Sequence, residues 1–298
     1  MKISITITSE YNRLFGHDFT RLMDVGRWAE AAGIDQLDIA EHLLMGDGKS
    51  YPFGEYPAPL DDPWPEPIAA LAAIAAVTQT VRLGTGVLIA PLRPPALLAK
   101  QLATLDRISN GRLDIGLAAG WQREEYQACA IPFAQRNQRM DDTVRACRAL
   151  WTGERVTLKL PTVELDNVLA VPAPVQQPLP IWYGGAPTPA TAQRIAEFGQ
   201  GWVPLFLPED ALATGIALIG EAFAARGRDP ATLQVRHQLF AQFDANGRLD
   251  LDATFAPVER LARIGVTMVS LGLGWSIRDP ADVEATIAAI GAWGRKLR

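Results

Sequence analysis

The apolar and polar positions of this chain change period again and again. Lys2-Ile3-Ser4-Ile5-Thr6-Ile7-Thr8 alternates strictly, the two-residue repeat of a half-buried strand. From Phe19 to Ala32 the spacing becomes helical and ends at Gly33, a residue suited to the left-handed turn that closes helices. Further strands are predicted at Gln36–Ala40, Val81–Val87, Leu113–Leu117, Pro180–Tyr183, Trp202-Val203, Leu233–Phe243 and Val266–Leu271. Helical spacing lies between them, at about 66–78, Ala96–Ile108, 123–129, 137–151, 188–198, 209–226, Phe255–Ile264 and 280–296. Two stretches break the rhythm and are predicted to be irregular. Residues 43–65 are punctuated by Gly46, Gly48, Pro52, Gly54, Pro57, Pro59, Pro63 and Pro65, and residues 152–180 are rich in Pro and Val.

Eight strands in strict alternation with helices imply parallel strands joined by crossovers, and eight such units close into a (β/α)8 TIM barrel. The expected organisation is one α/β domain over residues 1–298 with insertions at about 43–65 and 152–180. The rival, a doubly wound open sheet, would carry a Gly-x-Gly-x-x-Gly turn at the first helix, and none is present. Barrel chemistry sits on the loops that follow the strands. The loops of interest therefore begin at Ser9, Glu41, Gly86, Ala118, Gly184, Val203, Asp244 and Gly272. Asn110-Gly111-Arg112 precedes a strand and reads as turn chemistry on the opposite face.

Composition narrows the function. With 48% hydrophobic and 20% charged residues, the 298-residue chain has the make-up of a globular enzyme. A net charge of -5 and no Lys/Arg cluster argue against nucleic acid, whose phosphates demand a basic face. The longest apolar-rich runs, such as Ile68–Val77, are too short to span a bilayer, and the N-terminus reads as a strand rather than a signal peptide. Cys129 and Cys147 lie in helical sequence without ligand spacing, and His17, His42 and His237 form no close pair. No metal is expected, which weighs against a metal-dependent barrel hydrolase, and a cytoplasmic location with reduced thiols fits.

Filtering by loop leaves four candidate segments. Glu41-His42 ends the second strand, where an imidazole either exchanges hydrogen bonds and protons with a ligand or is structural. Leu83-Gly84-Thr85-Gly86-Val87 places two glycines in a strand, a mark of a bulge or close approach, or of tight barrel packing. Ala118-Ala119-Gly120-Trp121 leaves room for a ligand beside a stacking surface, unless Trp121 is core. Gly184-Gly185-Ala186 precedes a helix and offers backbone N–H groups to an anion such as a cofactor phosphate, or makes only a turn. Tyr51, Phe53, Tyr56 and Trp64 lie among the prolines of the long loop and would either cover a flat ring system or tie the loop down.

In this order the segments resemble the luciferase-like monooxygenase family, and within it the F420-dependent oxidoreductase branch. The strongest stretch runs from Ala69 to Trp151, through Val81-Arg82-Leu83-Gly84-Thr85-Gly86-Val87, Leu98–Asp106, Gly111-Arg112-Leu113, Gly120-Trp121, Glu124-Glu125-Tyr126 and Arg136–Asp141. Pro172–Pro178, Pro180-Ile181, Gly184-Gly185 and Gly201-Trp202 continue it. The resemblance implies a (β/α)8 barrel that binds F420 or FMN with the ring system at its mouth. It implies that His42 stands beside that ring and that Thr85-Gly86-Val87 is bulged, often with a cis peptide bond, and presses on one ring face. It further implies cofactor contacts at Gly120-Trp121 and at Gly184-Gly185-Ala186, the latter near the phosphate. Glu41 stands where the family commonly has Asp, and Gly199-Gln200-Gly201 where it often has Ala-Asp-Gly.

The leading expectation is hydride transfer between F420 and a small organic substrate, with His42 catalytic. One alternative is an FMNH2-dependent monooxygenase that uses O2 and draws its flavin from a separate reductase. A second, of another class, is a non-catalytic flavin-binding barrel. The resemblance also implies a homodimer and a possible flavin or F420 reductase as partner, with neither nucleic acid nor membrane involved.

Overall fold

All eight predicted strands form, and each pairs with the next along the chain until the last returns to the first. The structure is a computed structural model that describes residues 1–297. Its strands are β1 (Lys2–Ile7), β2 (Gln36–Ile39), β3 (Arg82–Thr85), β4 (Leu88–Ile89), β5 (Leu113–Ala118), β6 (Arg155–Leu160), β7 (Val163–Leu169), β8 (Ile181–Gly184), β9 (Gly201–Val203), β10 (Gln234–Leu239) and β11 (Met268–Gly272). β3 and β4 are two pieces of one stave. The parallel order β1-β2-β3-β5-β8-β9-β10-β11 closes through β1 with β11, giving a (β/α)8 barrel.

Alternation along each strand divides the side chains between two environments. Ile3, Ile5, Ile7, Leu37, Ile39, Leu83, Ile115 and Val269 belong to one continuous apolar core. Its outer wall is the helices: a Cβ at Gly294, in the helix Val283–Gly294, would stand 2.7 Å from Ile3. The in-register neighbours Ser4, Thr6, Gln36, Asp38, Arg236 and Ser270 face the lumen, where Arg236 of β10 ion-pairs with Asp38 of β2 and the Gln36 amide donates to Asp38 at 2.8 Å. This lumen is a polar core.

The third stave is interrupted where the glycines marked a bulge or close approach and where the family resemblance implied a cis peptide bond. Gly84 pairs with Asp114 and Leu88 with Leu117, so four steps along β3–β4 oppose three along β5. One extra residue is accommodated, and the Gly86–Val87 peptide bond is cis.

Elsewhere the chain departs from expectation in three places. Residues 152–180 are not wholly irregular: β6 and β7 form an antiparallel hairpin, with Leu160 paired to Val163 across Pro161-Thr162. Arg155–Leu160 alternates in exposure, a strand signal that the surrounding prolines obscured. The helix predicted over Phe255–Ile264 splits into Leu251–Phe255 and Val258–Arg263, because Pro257 lacks the N–H that would continue the first. The strand predicted to Phe243 stops at Leu239. Residues 43–65 carry neither helix nor strand, as their glycines and prolines required. Among the described residues no helix is long and apolar enough to cross a membrane.

Candidate active site

β2 delivers Glu41 and His42 to the mouth of the barrel, and each is fixed by a different neighbour. Glu41 is buried. It accepts the Ile89 N–H at 2.6 Å and Arg93 Nη1 at 3.0 Å, and pairs with Arg93 Nη2, which reaches Glu66 at 2.6 Å as well. Burial pushes the Glu41 carboxyl up from its ordinary pKa, against the lowering effect of Arg93. The clamp ties the end of β2 to the stave just beyond the bulge.

The His42 ring is held on its Nδ1 edge and flanked by two tryptophans. Gln122 Nε2 lies 2.9 Å and Glu125 Oε1 3.2 Å from Nδ1. Trp64 and Trp121 meet the ring edge-on, with centroids 4.8 and 5.4 Å away. Gln122 and Glu125 are fully buried, and they hold the start of the long loop too: Leu43 N–H donates to Glu125 at 2.8 Å and Gly46 N–H to Gln122 at 2.8 Å.

Glycines at the mouth let neighbouring segments of the chain approach one another closely. Val87, just past the cis bond, reaches over Gly116 and Gly184, where an added Cβ would lie 3.2 and 3.0 Å from its Cγ1. A Cβ at Gly116 would in addition collide with the Thr85 carbonyl, while Thr85 Oγ1 donates to the Gly116 carbonyl at 2.7 Å. A Cβ at Gly86 would stand 3.0 Å from Asp38 and 3.2 Å from Arg236. Gly120 takes φ +68 and lies against Ile89, where a Cβ would approach to 2.8 Å. The bulge, the glycines of β5 and β8 and the polar lumen therefore interlock.

At Gly184-Gly185-Ala186 the backbone is only partly available. Gly185 N–H donates to Val203 O at 3.3 Å, and Gly185 O accepts from Trp202 Nε1 at 2.9 Å. The helix Pro189–Phe198 is capped by Thr188, whose Oγ1 accepts from Thr191 N–H at 3.2 Å. Among the described residues Ala186 N–H has no partner, and a Cβ on Gly185, at φ +144, would meet nothing within 4 Å. An anion here would meet the Ala186 N–H rather than that of Gly185.

The loop aromatics join the same cluster. Tyr51 contacts Trp121, Tyr56 and Phe53 at 5.3, 5.2 and 5.5 Å, and Phe53 continues to Phe206 and on to Phe240. Trp121 is half-buried among rings rather than part of the core. A cavity of about 500 Å³ lies elsewhere, where Glu209, His237, Phe240 and Arg260 converge beside β10. Burial lowers the pKa of His237 there, and the Glu209–Arg260 pair at 2.6 Å neutralises the charges of the cavity wall. It has no lining residue in common with His42 and its immediate neighbours, and Phe240 joins it to the loop aromatics.

Sequence reasoning placed His42, the bulge, Gly120-Trp121 and the glycine pair on one face, and the structure puts them there. It missed the roles of Gln122, Glu125, Arg93 and the Asp38–Arg236 pair. The cue for the first two was polar residues three apart, directly after Gly120-Trp121, at the start of a helix.

Known proteins share this arrangement of sequence. The profile of the luciferase-like monooxygenase family matches residues 2–248. An F420-dependent glucose-6-phosphate dehydrogenase from Nakamurella multipartita is 35% identical over 189 residues, covering 62% of this chain and 51% of that protein. An FMNH2-dependent dimethylsulfone monooxygenase from Pseudomonas fluorescens is 28% identical over 189 residues, covering 62% and 48%. Among solved structures, the monooxygenase RslO1 from Streptomyces bottropensis superposes with a TM-score of 0.81 at 24% identity, over 99% of this chain and 98% of that one.

Proposed function

We propose that this chain, which belongs to the luciferase-like monooxygenase family, transfers a hydride between coenzyme F420 and a small organic substrate. The observation that carries the reading is the braced imidazole. His42 is fixed on Nδ1 and flanked by Trp64 and Trp121, while Gly185 at the same face leaves open space where a side chain would stand. That combination suits a flat ring system with one hydrogen-bonding edge.

When bound, F420 supplies the two-electron chemistry. The chain's own part is to hold and to shield. Thr85, Gly86, Val87, Gly120 and Trp121 would hold the ring system, and Gly184, Gly185 and Ala186 its phosphate, chiefly through the Ala186 N–H. His42 would hold or move a proton at a ring nitrogen. Trp64, Trp121, Tyr51 and Tyr56 would exclude water from the reacting pair. The family resemblance further suggests a homodimer with residues 1–298 as one domain, acting in the cytoplasm beside a reductase that recharges F420.

The similarity to an FMNH2-dependent monooxygenase favours a second reading, in which reduced FMN and O2 take the place of F420. Eight tryptophans make fluorescence the direct test. Quenching by F420 at micromolar concentration, with weak or no response to FMN, is the expected result. Quenching by FMN alone would transfer the assignment to the second reading, and no response to either would remove both. Tight binding without turnover of any substrate would instead mark a flavin-binding barrel.

A further inference from the structure

His42 Nδ1 has two neighbours that require opposite proton arrangements. The Gln122 amide nitrogen, 2.9 Å away, can only donate, so it needs Nδ1 bare. The Glu125 carboxylate oxygen, 3.2 Å away, accepts, so it needs a hydrogen on Nδ1. A neutral imidazole carries one N–H and satisfies one of them.

The orientation of the Gln122 amide is fixed independently of the ring. Its Oε1 accepts the Gly46 N–H at 2.8 Å, and its Nε2 donates to the Leu44 carbonyl at 3.1 Å. Turning the amide over would set donor against donor and acceptor against acceptor. One hydrogen of Nε2 goes to Leu44, which leaves the other for Nδ1; its alternative is Met45 Sδ at 3.5 Å, a weak acceptor. Glu125 Oε1, by contrast, already accepts the Leu43 N–H at 2.8 Å. With Gln122 fully buried, the amide hydrogen has no solvent to turn to.

We propose that Gln122 is a positioning residue that locks neutral His42 as the Nε2–H tautomer, so that the ligand atom meeting His42 is a hydrogen-bond acceptor. Among the described residues no protein group bonds Nε2, so its hydrogen is available. A carbonyl or an unprotonated aromatic ring nitrogen fits this edge, and an amide N–H or an ammonium does not. This specificity rests on the reading of His42 as the residue facing the ligand; the tautomer itself does not.

The chain has three histidines, so 15N spectra of histidine-labelled protein are simple to assign, with His42→Asn identifying the His42 signals. Under alkaline conditions, where imidazoles are neutral, the expected pattern is a protonated Nε2 and a bare Nδ1. Gln122→Met removes the donor and should move the hydrogen to Nδ1, onto Glu125, whereas Glu125→Gln should leave the parent pattern unchanged. A protonated Nδ1 in the parent overturns the proposal, as does an unchanged tautomer in a folded Gln122→Met protein. If that variant does not fold, Gln122→Glu replaces donor by acceptor at the same length, and the assigned parent spectrum decides without any Gln122 variant. All of these spectra are recorded without cofactor. Failure of F420 and FMN to bind would therefore sink the functional reading and leave the tautomer standing.

Discussion

The polar network around Arg112 and Asp106, where strands begin, and the group at the mouth treat their buried polar atoms in opposite ways. At the end where strands begin, Arg112 is enclosed and makes five hydrogen bonds, to the carbonyls of Ala75, Thr78, Val81 and Ser109 and to the Thr78 hydroxyl. Asp106 accepts from the Val175 and Gln176 N–H groups and from the Gln176 amide. At the mouth, buried oxygens of Glu10, Asp62 and Glu125 have no hydrogen-bond partner in the protein, and His42 Nδ1 is contested by two. Burial pushes the Glu10 carboxyl up as well, against the pull of Arg13. A satisfied network supports stability, whereas unsatisfied buried groups cost stability and are retained where a ligand or a proton is handled. The Arg112 network thus suits persistence, and the unsatisfied groups lie at the face where barrel enzymes in general carry their chemistry.

The largest expected effect breaks the mouth alone. His42→Ala should lower turnover by about 10²- to 10⁴-fold, the range for one group that donates or transfers a proton in a transition state. Its midpoint in urea should fall only modestly, because loss of the largely buried ring strands one Gln122 hydrogen while the Leu43 and Gly46 N–H bonds still hold the loop. Parent-like turnover in this variant would make His42 structural. The next effect is the mirror image. Arg112→Met leaves the carbonyls at the end of the helix Pro67–Ala75 without their donor. Stability should fall by roughly 3 kcal/mol, with cofactor affinity of the folded protein unchanged. A loss of affinity at parent-like stability would erase the distinction between the ends.

The strand-start end was legible because its rules are local. Asn110-Gly111 read as a turn, and both residues take positive φ, 53° and 79°. The apolar face of each strand was visible as alternation, since Ile3, Ile5 and Ile7 need only each other in sequence to declare a buried side. The glycines of the third strand marked an irregularity for the same reason, and the family resemblance narrowed it to a bulge. What escaped was long-range. Gln122 and Glu125 lie 80 and 83 residues from the histidine they hold, and Asp38 lies 198 residues from Arg236. No periodicity connects such pairs, because closure of the barrel brings them together rather than any neighbour in the chain. The hairpin of β6 and β7 was hidden for a different reason: prolines at its turn and beyond it gave an irregular look to two strands whose own alternation was sound.

The smallest effect tests whether a strand-start ion acts through backbone hydrogen bonds. Glu30, near the end of the helix Arg21–Ala32, accepts N–H bonds from Gln79, Thr80 and Val81 at 2.8, 2.6 and 3.1 Å, and the Thr80 hydroxyl at 3.0 Å. It thereby pins the segment that leads into β3. Partial burial alone would raise its pKa, but these donors outweigh that and lower it. A carboxyl depressed in the folded state contributes stability that is present above its unfolded value, near 4.3, and is lost as pH falls through the folded value. Glu30→Gln keeps the shape, retains an accepting oxygen and removes the charge. At neutral pH it should be less stable than the parent by under about 1 kcal/mol, since solvent screens this half-exposed group. As pH drops below about 5, the parent should lose its advantage and the two unfolding curves should converge. Urea titrations of both proteins at stepped pH measure the difference directly. A gap that stays constant into the acid range would mean that the difference does not come from the charge, and no gap at any pH would mean that a neutral amide serves the N–H groups equally.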